Sequence, residues 1–126
     1  MGKIRVILLE PKKKAREGFI DGSLEAMQKT VGGCIERLSL DSDGAVLICN
    51  EEGKINHLEM NRSIRDKYGN IIDIIHGTCF VCSCGDEDFV GLNDEMFEKY
   101  MKIFGLPEMF ILVDSEIVGA KFDPEE

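Results

Sequence analysis

The sequence predicts an α+β domain, in which two main helices pack on a small, mostly antiparallel β-sheet. Three observations lead to this fold class. Several apolar runs have the length of a strand, two segments combine helical spacing with helix caps, and the order is strand, helix, hairpin, strand, helix. A length of 126 residues fits a single domain over 1–126, with a short acidic tail at 123–126.

The N-terminal part predicts two strands separated by a basic loop. Lys3–Glu10 is a strand that ends at Pro11, because proline cannot donate a hydrogen bond to a strand ladder. Lysines and an arginine fill residues 12–16, which we interpret as a solvated loop, with anion binding left open. Phe19–Ile20 predicts a short second strand.

A helix is expected over residues 24–31, where apolar side chains recur at Leu24, Met27 and Val31. Ser23 suits the N-cap, since its hydroxyl can accept from the free N–H groups of the first turn. Gly32 ends the helix, because glycine adopts the left-handed conformation at little cost.

A buried hairpin should follow the helix. Cys34–Leu40 alternates in the manner of a strand, and residues 41–44 (DSDG) form a turn. Residues 45–49 (AVLIC) are apolar throughout, which predicts a strand buried on both faces in the middle of the sheet.

The next segment, residues 50–84, is harder to assign. Residues 50–65 show no clear period, and a short helix is predicted to begin at Asn61 or later and to end near Gly69. The apolar run from Asn70 to Cys84 predicts one long strand. Gly77 marks a bulge or a close backbone approach inside it.

The clearest element is a second helix capped by Asn93, with an apolar face from Met96 to Phe104 and Gly105 at the C′ position. Core packing explains this face best, although self-association of the chain as a homodimer through it stays open. Phe110–Val113 and Ile117–Phe122 predict a final hairpin.

The formal charge of −9 is unevenly distributed along the chain. Residues 1–67 carry 12 basic against 11 acidic side chains, whereas residues 68–126 carry 3 against 13. An acidic surface repels nucleic-acid backbones and anionic membranes, so direct binding to either is disfavoured. A basic protein partner would suit the acidic half, and solubility alone also explains it.

The compartment predicted from the sequence is the cytoplasm. Residues 1–9 begin with a basic residue and continue into an apolar run that is too short for a secretory signal, and no stretch has the length of a membrane span. In the cytoplasm the five cysteines stay reduced.

The cysteine-rich stretch CFVCSC, residues 79–84, invites a metal interpretation. A structural zinc site needs four ligands on tight loops. Here Phe80 and Val81 favour a strand, in which Cys79 points opposite to Cys82 and Cys84. Buried free cysteines are the better explanation, and the sequence predicts no metal and no cofactor.

Catalytic residues are not predicted either. Nucleophilic catalysis needs a base beside the nucleophile, and the chain has two histidines, His57 and His76. A Cys49–His57 pair is conceivable, but Cys49 ends an apolar strand. Phosphate-binding glycine motifs and the serine-hydrolase elbow do not occur.

The polar segment after the buried hairpin is the predicted ligand-binding site. Its donors and acceptors outnumber what a turn needs, and forked amide and guanidinium groups suit planar or anionic ligands. The candidate residues are Asn50, Glu51, Glu52, Lys54, Asn56, Asn61 and Arg62. A solvated loop is the competing interpretation.

Several ordered segments together resemble a known family. They are IDGSLEAMQKTVGG, IERL, VLICNEEGKINHLEMNR, DIIHGTCFVC and EDFVGLNDE, which span most of Lys3 to Tyr100. This order is similar to domain-of-unknown-function family 3846. The resemblance implies a small protein of phages, plasmids and conjugative elements of Gram-positive bacteria, and it implies no particular activity. Its E-E-G-K and N-R positions match Glu51–Lys54 and Asn61–Arg62, which strengthens the predicted site.

Three functions remain open from sequence. The first is a non-catalytic binding protein of a mobile element that counters host defence by binding a host protein or ligand. The second is a protein or enzyme that binds or sequesters a nucleotide-like ligand through Glu51, Glu52, Lys54 and Arg62. The third is a self-associating assembly protein.

Overall fold

The computed structural model describes residues 2–125, and this part of the chain is mostly β. Ten strands in three sheets make up 45% and two small helices 15%. The strands are β1 (Lys3–Leu9), β2 (Arg16–Asp21), β3 (Ile35–Ser39), β4 (Ala45–Asn50), β5 (Met60–Arg65), β6 (Ile71–His76), β7 (Cys79–Cys84), β8 (Phe89–Val90), β9 (Glu108–Val113) and β10 (Glu116–Lys121). The helices are α1 (Leu24–Val31) and α2 (Asp94–Phe104).

The predicted α+β class, one small sheet under two main helices, is therefore wrong. Two extra ribbons, β5–β6 and β9–β10, form sheets of their own beside the main one. The helix predicted from Asn61 is strand β5. The long strand predicted over 70–84 is divided into β6 and β7 by a turn at Gly77, whose φ is +85°.

The main sheet runs in the order β2-β1-β7-β4-β3, with β8 added to β7, and every pair in it is antiparallel. Every residue of β4 is buried, which confirms the expectation of a strand in the middle of the sheet. Val81 of β7 lies opposite both Ile7 of β1 and Leu47 of β4, so the three central strands share one register across the core.

Each face of the main sheet has its own cover. On one face, Met27 and Val31 of α1 pack with Val6, Ile48 and Phe80. Burying an apolar side chain of this size stabilises the fold by about 1.5–3 kcal/mol.

The opposite face carries Ile7, Leu47 and Val81 and is covered by α2 and by β6. The covering side chains are Met96, Tyr100 and Phe104 from the helix and Ile75 from the strand. The apolar face of α2 is thus core, as the sequence indicates. Neither helix in residues 2–125 is long and apolar enough to cross a lipid bilayer.

The helix caps largely follow the sequence prediction. The Ser23 hydroxyl accepts from Ala26 N at 3.2 Å, and the Asn93 side chain accepts from Met96 N at 2.8 Å. Gly32 is left-handed, with φ of +82°. Gly105 is not, since its φ of −58° continues the helical conformation.

Candidate functional site

The seven residues of the predicted polar site do not form one surface. Three have side chains buried in the body, and four lie on the outside of the loop between β4 and β5. The buried residues are Asn50, Asn61 and Arg62, and the exposed ones are Glu51, Glu52, Lys54 and Asn56.

Asn50 joins the end of β4 to the end of α1. Its Nδ2 donates to the carbonyl of Val31 at 3.2 Å, and its Oδ1 accepts from Glu52 N at 2.8 Å. The first bond satisfies a carbonyl that the helix end leaves free, and the second starts the turn. Both functions of the amide are structural.

Asn61 and Arg62 are completely buried, and their donors bind the protein's own backbone. Asn61 Nδ2 donates to the carbonyls of Leu9 and Gly77, each at 2.8 Å. A β-bulge between Met60 and Arg62 turns these consecutive side chains towards the same interior.

The Arg62 guanidinium joins three segments: its own strand β5, the loop after β1 and the end of α2. It donates to the carbonyls of Phe104 at 3.0 Å, Glu10 at 3.2 Å and Lys13 at 2.8 Å, and to Asn61 Oδ1 at 2.8 Å. Burial lowers the pKa of the group, yet arginine keeps its charge because its unperturbed pKa lies above ~12. These contacts favour a structural role for Arg62 over phosphate binding, and they weaken the nucleotide-like alternative.

Three of the four exposed residues, Glu51, Lys54 and Asn56, line two shallow depressions beside the loop. Glu51 and Lys54 border a cavity of about 330 Å³ that has Cys49 and His76 in its wall. Asn56 borders another, of about 410 Å³. Lys54 is held by an ion pair with Asp73, so the polar loop presents few groups that are both exposed and convergent.

The loop itself packs tightly against the turn after β6. A side chain at Gly53 would place Cβ 2.6 Å from the carbonyl oxygen of His76. At Gly77 a Cβ would lie 2.7 Å from Leu58 Cδ1. Gly77 does make a close approach, but in the turn between β6 and β7 and not inside one long strand as predicted, and this approach holds the polar loop against the turn.

The cysteines lie on the two faces of β7, as predicted. Cys79 faces the α2 side of the sheet with Leu9, whereas Cys82 faces the α1 side with Met27. Burial raises the pKa of Cys82 to about 12 and, with help from Glu36, that of Cys49 also to about 12. In residues 2–125 no group of three or more His, Cys, Asp or Glu is arranged to hold a metal ion.

Thiol labelling should separate the exposed cysteine from the buried ones. At pH 8 we expect Cys34, which is exposed, to react with a disulfide reagent first. Cys49 and Cys82 should react ~1,000-fold more slowly than an ordinary thiol, because each pKa unit lowers the thiolate fraction tenfold. Stopped-flow absorbance measures both rates, and the fast phase of the native protein should be lost in Cys34→Ser. Three or more fast thiols in the native protein would contradict it.

The strongest exposed apolar feature is the hairpin of β9 and β10, here called the arm. Its two-residue turn, Asp114–Ser115, has positive φ at both positions (50° and 68°), the conformation that matches the twist of a tight hairpin. Six large apolar side chains of the arm are between 41% and 73% exposed. They are Met109, Ile111, Leu112, Val113, Ile117 and Val118.

The exposed side chains occupy both faces of the arm. Ile111 lies opposite Val118 on the outer face, whereas Leu112 lies opposite Ile117 on the inner face. A hairpin that only covered a core would turn one polar face to water. Exposed apolar surface of this extent is typical of a contact site for another molecule.

The arm is fastened to the body at its base. Glu108, which is 5% exposed, accepts from the backbone N of Ser63 at 2.8 Å and from the Ser63 hydroxyl. Arg65 Nη2 lies 3.6 Å from the same carboxylate and donates to the carbonyl of Gly119 at 2.9 Å. Lys121 Nζ donates to the carbonyl of Ile103 at 2.9 Å. These polar contacts fix the base of the arm and leave its outer end in solvent.

A cleft of about 830 Å³ separates the arm from the β5–β6 ribbon. One wall is the outer edge of β10, from Glu116 to Gly119, and the other is β6, where Ile72 is 64% exposed. Volumes of this size suit a ligand or a peptide segment. Its lining mixes apolar side chains of β6 and β10 with the charged side chains of Lys54, Arg65, Asp73 and Glu116.

Sequence reasoning found the hairpin at 110–122 but did not recognise it as a binding surface. The available signal was the run MFILV followed by IVGA, which lacks the polar alternation of a half-solvated hairpin. The cleft could not be found this way, because it depends on how two ribbons distant in sequence are placed.

Comparisons with known proteins agree with the resemblance seen in the sequence. A family model described as "Domain of unknown function (DUF3846)" matches residues 4–105, which cover the body and α2 but not the arm. No curated protein and no solved structure matches the chain significantly. Because the family model covers well over half of the sequence, the chain belongs to the DUF3846 family.

Proposed function

We propose that this protein is a small non-catalytic binding domain that attaches to another protein through its arm. The observation that carries the proposal is the row of exposed apolar side chains on both faces of β9–β10. The body supports it, since the polar groups of Asn50, Asn61 and Arg62 stabilise the fold.

The charge of the arm indicates what kind of partner it meets. Asp114 and Glu116 are exposed at the tip, and residues 68–126 carry 13 acidic against 3 basic side chains. An apolar surface bordered by basic groups is complementary to this arm. Raised salt should therefore weaken the complex.

The family resemblance supplies the setting of the proposal. We place the protein in the cytoplasm of a Gram-positive bacterium, brought there by a phage, plasmid or conjugative element. The partner is then a host protein, and masking its surface would counter host defence. Free cysteines support a reducing compartment.

Site-specific photo-crosslinking tests the proposal. A benzoylphenylalanine placed at Ile111 on the arm is compared with one at Leu24 on α1, because the two side chains are similarly exposed (53% and 58%). We expect the arm position to form an adduct with one host protein, identified by mass spectrometry, and the α1 position to form none. Equal adducts from both positions, or none from the arm, would refute the proposal.

A further inference from the structure

The mode of binding can be derived from the edge of the arm. We infer that the cleft between β10 and the β5–β6 ribbon accepts an extended basic segment of the partner, which pairs with β10 as an additional strand. This inference rests on the proposed function. It specifies that the bound segment is extended, that it hydrogen-bonds to β10 through its backbone and that it is basic.

The first support is the orientation of the β10 backbone. Phe122 N donates to the carbonyl of Pro107 at 3.0 Å, one pair beyond the end of the β9–β10 ladder. Bonded and non-bonded pairs alternate along an antiparallel ladder. In the register of the arm, the bonded pairs are then those of Glu116, Val118 and Ala120.

It follows that the intervening residues of β10 point their N–H and C=O groups away from β9. Two of these residues, Ile117 and Gly119, line the cleft. The carbonyl of Gly119 is bound by Arg65 Nη2 at 2.9 Å. The N–H and C=O of Ile117 and the N–H of Gly119 face the cleft as a short template for another strand.

The second support is that this edge has no central lysine, proline or bulge, and within residues 2–125 the Gly119 carbonyl is the one edge group that a side chain of the body is seen to bind. Free edges in soluble proteins are blunted by central lysines, prolines or bulges. The stretch IVGA, residues 117–120, has none of these, and the β9–β10 register is unbroken. The flanking Lys121 is turned towards the body, where it binds the carbonyl of Ile103.

The third support is the chemistry of the surrounding surface. Alternate side chains of an added strand would meet the exposed Ile72 and the neighbouring Ile74 on β6. The other side chains would lie on the outer side near Glu116 and the acidic tip. A segment that alternates apolar and basic residues would place its apolar side chains against Ile72 and Ile74 and its basic side chains near Glu116.

Charge also argues against a second copy of this chain as the occupant. Each molecule carries a formal charge of −9, and residues 68–126, which include the arm, hold 13 acidic against 3 basic side chains, so two copies repel each other. Like charges at an interface oppose association. A basic foreign segment gains from the same charges.

The test uses a fluorescein-labelled nonapeptide that alternates valine and lysine, blocked at both ends, and measures anisotropy on the full-length protein. Ile117→Pro removes an N–H that faces the cleft, while Ile117→Ala removes the same side chain and keeps that N–H. We expect the proline variant to bind about 3- to 10-fold more weakly than the alanine variant, as for one lost hydrogen bond. Proline is tolerated at such edge positions, and circular dichroism checks the fold.

Leu112 supplies the matched control, because its N–H points to the opposite edge of the arm by the same alternation. Leu112→Pro and Leu112→Ala should bind the peptide equally. A valine–glutamate peptide should bind at least about tenfold more weakly than the valine–lysine one, because its charges oppose the arm.

Three results would overturn the inference: equal binding by the two Ile117 variants, equal binding of the two peptides, or self-association of the protein in sedimentation equilibrium. Crosslinking at Ile111 separates this failure from failure of the proposed function. If that adduct forms while the Ile117 variants behave alike, the arm binds through its outer face and the proposed function stands.

Discussion

An Arg62→Ala variant is expected to lose about 3–5 kcal/mol of its free energy of unfolding. The substitution leaves the backbone carbonyls of Glu10, Lys13 and Phe104 without the donor that now satisfies them. Each buried unsatisfied acceptor costs about 1–3 kcal/mol, and the missing side chain adds a cavity. Since a domain of this size has roughly 5–15 kcal/mol in total, the loss is severe.

Thermal unfolding followed by circular dichroism measures this effect, and we expect a fall in Tm of about 10–20 °C. Arg37→Ala is the matched control, because Arg37 is exposed on β3 and should change stability by less than ~0.5 kcal/mol. If Arg62→Ala melted within a few degrees of the wild type, the guanidinium would not be holding the three segments together.

Loss of ligand binding in this variant would not identify a ligand contact. Lys54→Ala is the better probe of the polar loop.

Glu108→Ala is expected to release the arm while leaving the body folded. The backbone N–H and hydroxyl of Ser63 lose their acceptor while still covered by the arm, and Arg65 loses its carboxylate neighbour. The cost is about 2–3 kcal/mol, and it falls mainly on the local stability of β9 and β10.

Native-state hydrogen exchange measures this directly. Amides of the arm should exchange about 30- to 150-fold faster, the equivalent of that free energy, while those of β4 and β7 should change much less. Glu116→Ala at the tip removes an exposed carboxylate of the same type and should leave exchange at the base unchanged. Uniformly faster exchange across the whole chain would mean that Glu108 supports the body rather than the arm alone.

Much of the fold could be predicted because its signals are local. The spacing of Leu24, Met27 and Val31 and the caps at Ser23 and Asn93 predicted both helices. The continuous apolar run of β4 predicted its central place. Each of these patterns lies within a single helix or strand, so it is visible in the sequence without knowledge of the tertiary structure.

The ribbon β5–β6 could not be predicted in this way. Asn61 and Arg62 are buried polar residues next to each other at a bulge, so β5 shows no apolar alternation. Their burial is stabilised by carbonyls from Leu9, Glu10, Lys13, Gly77 and Phe104. Partners so distant in sequence leave no local pattern.

The polar site was predicted from residue types, and a residue type does not reveal whether its side chain points to solvent or into the protein. Glu51, Glu52, Lys54 and Asn56 are exposed as that prediction requires, and their part in ligand binding stays a prediction. Asn61 and Arg62 have the same hydrogen-bonding chemistry but use it inside the protein.

The family match ends at residue 105, before the arm, which is joined to the body at its base by Glu108 against Ser63, by Arg65 and by Lys121. Without the arm, Ser63 and Arg65 would lie in water, which can satisfy their hydrogen-bonding groups. We therefore expect substitutions in β9 and β10 beyond Glu108 to change the arm while the packing of the main sheet stays as it is.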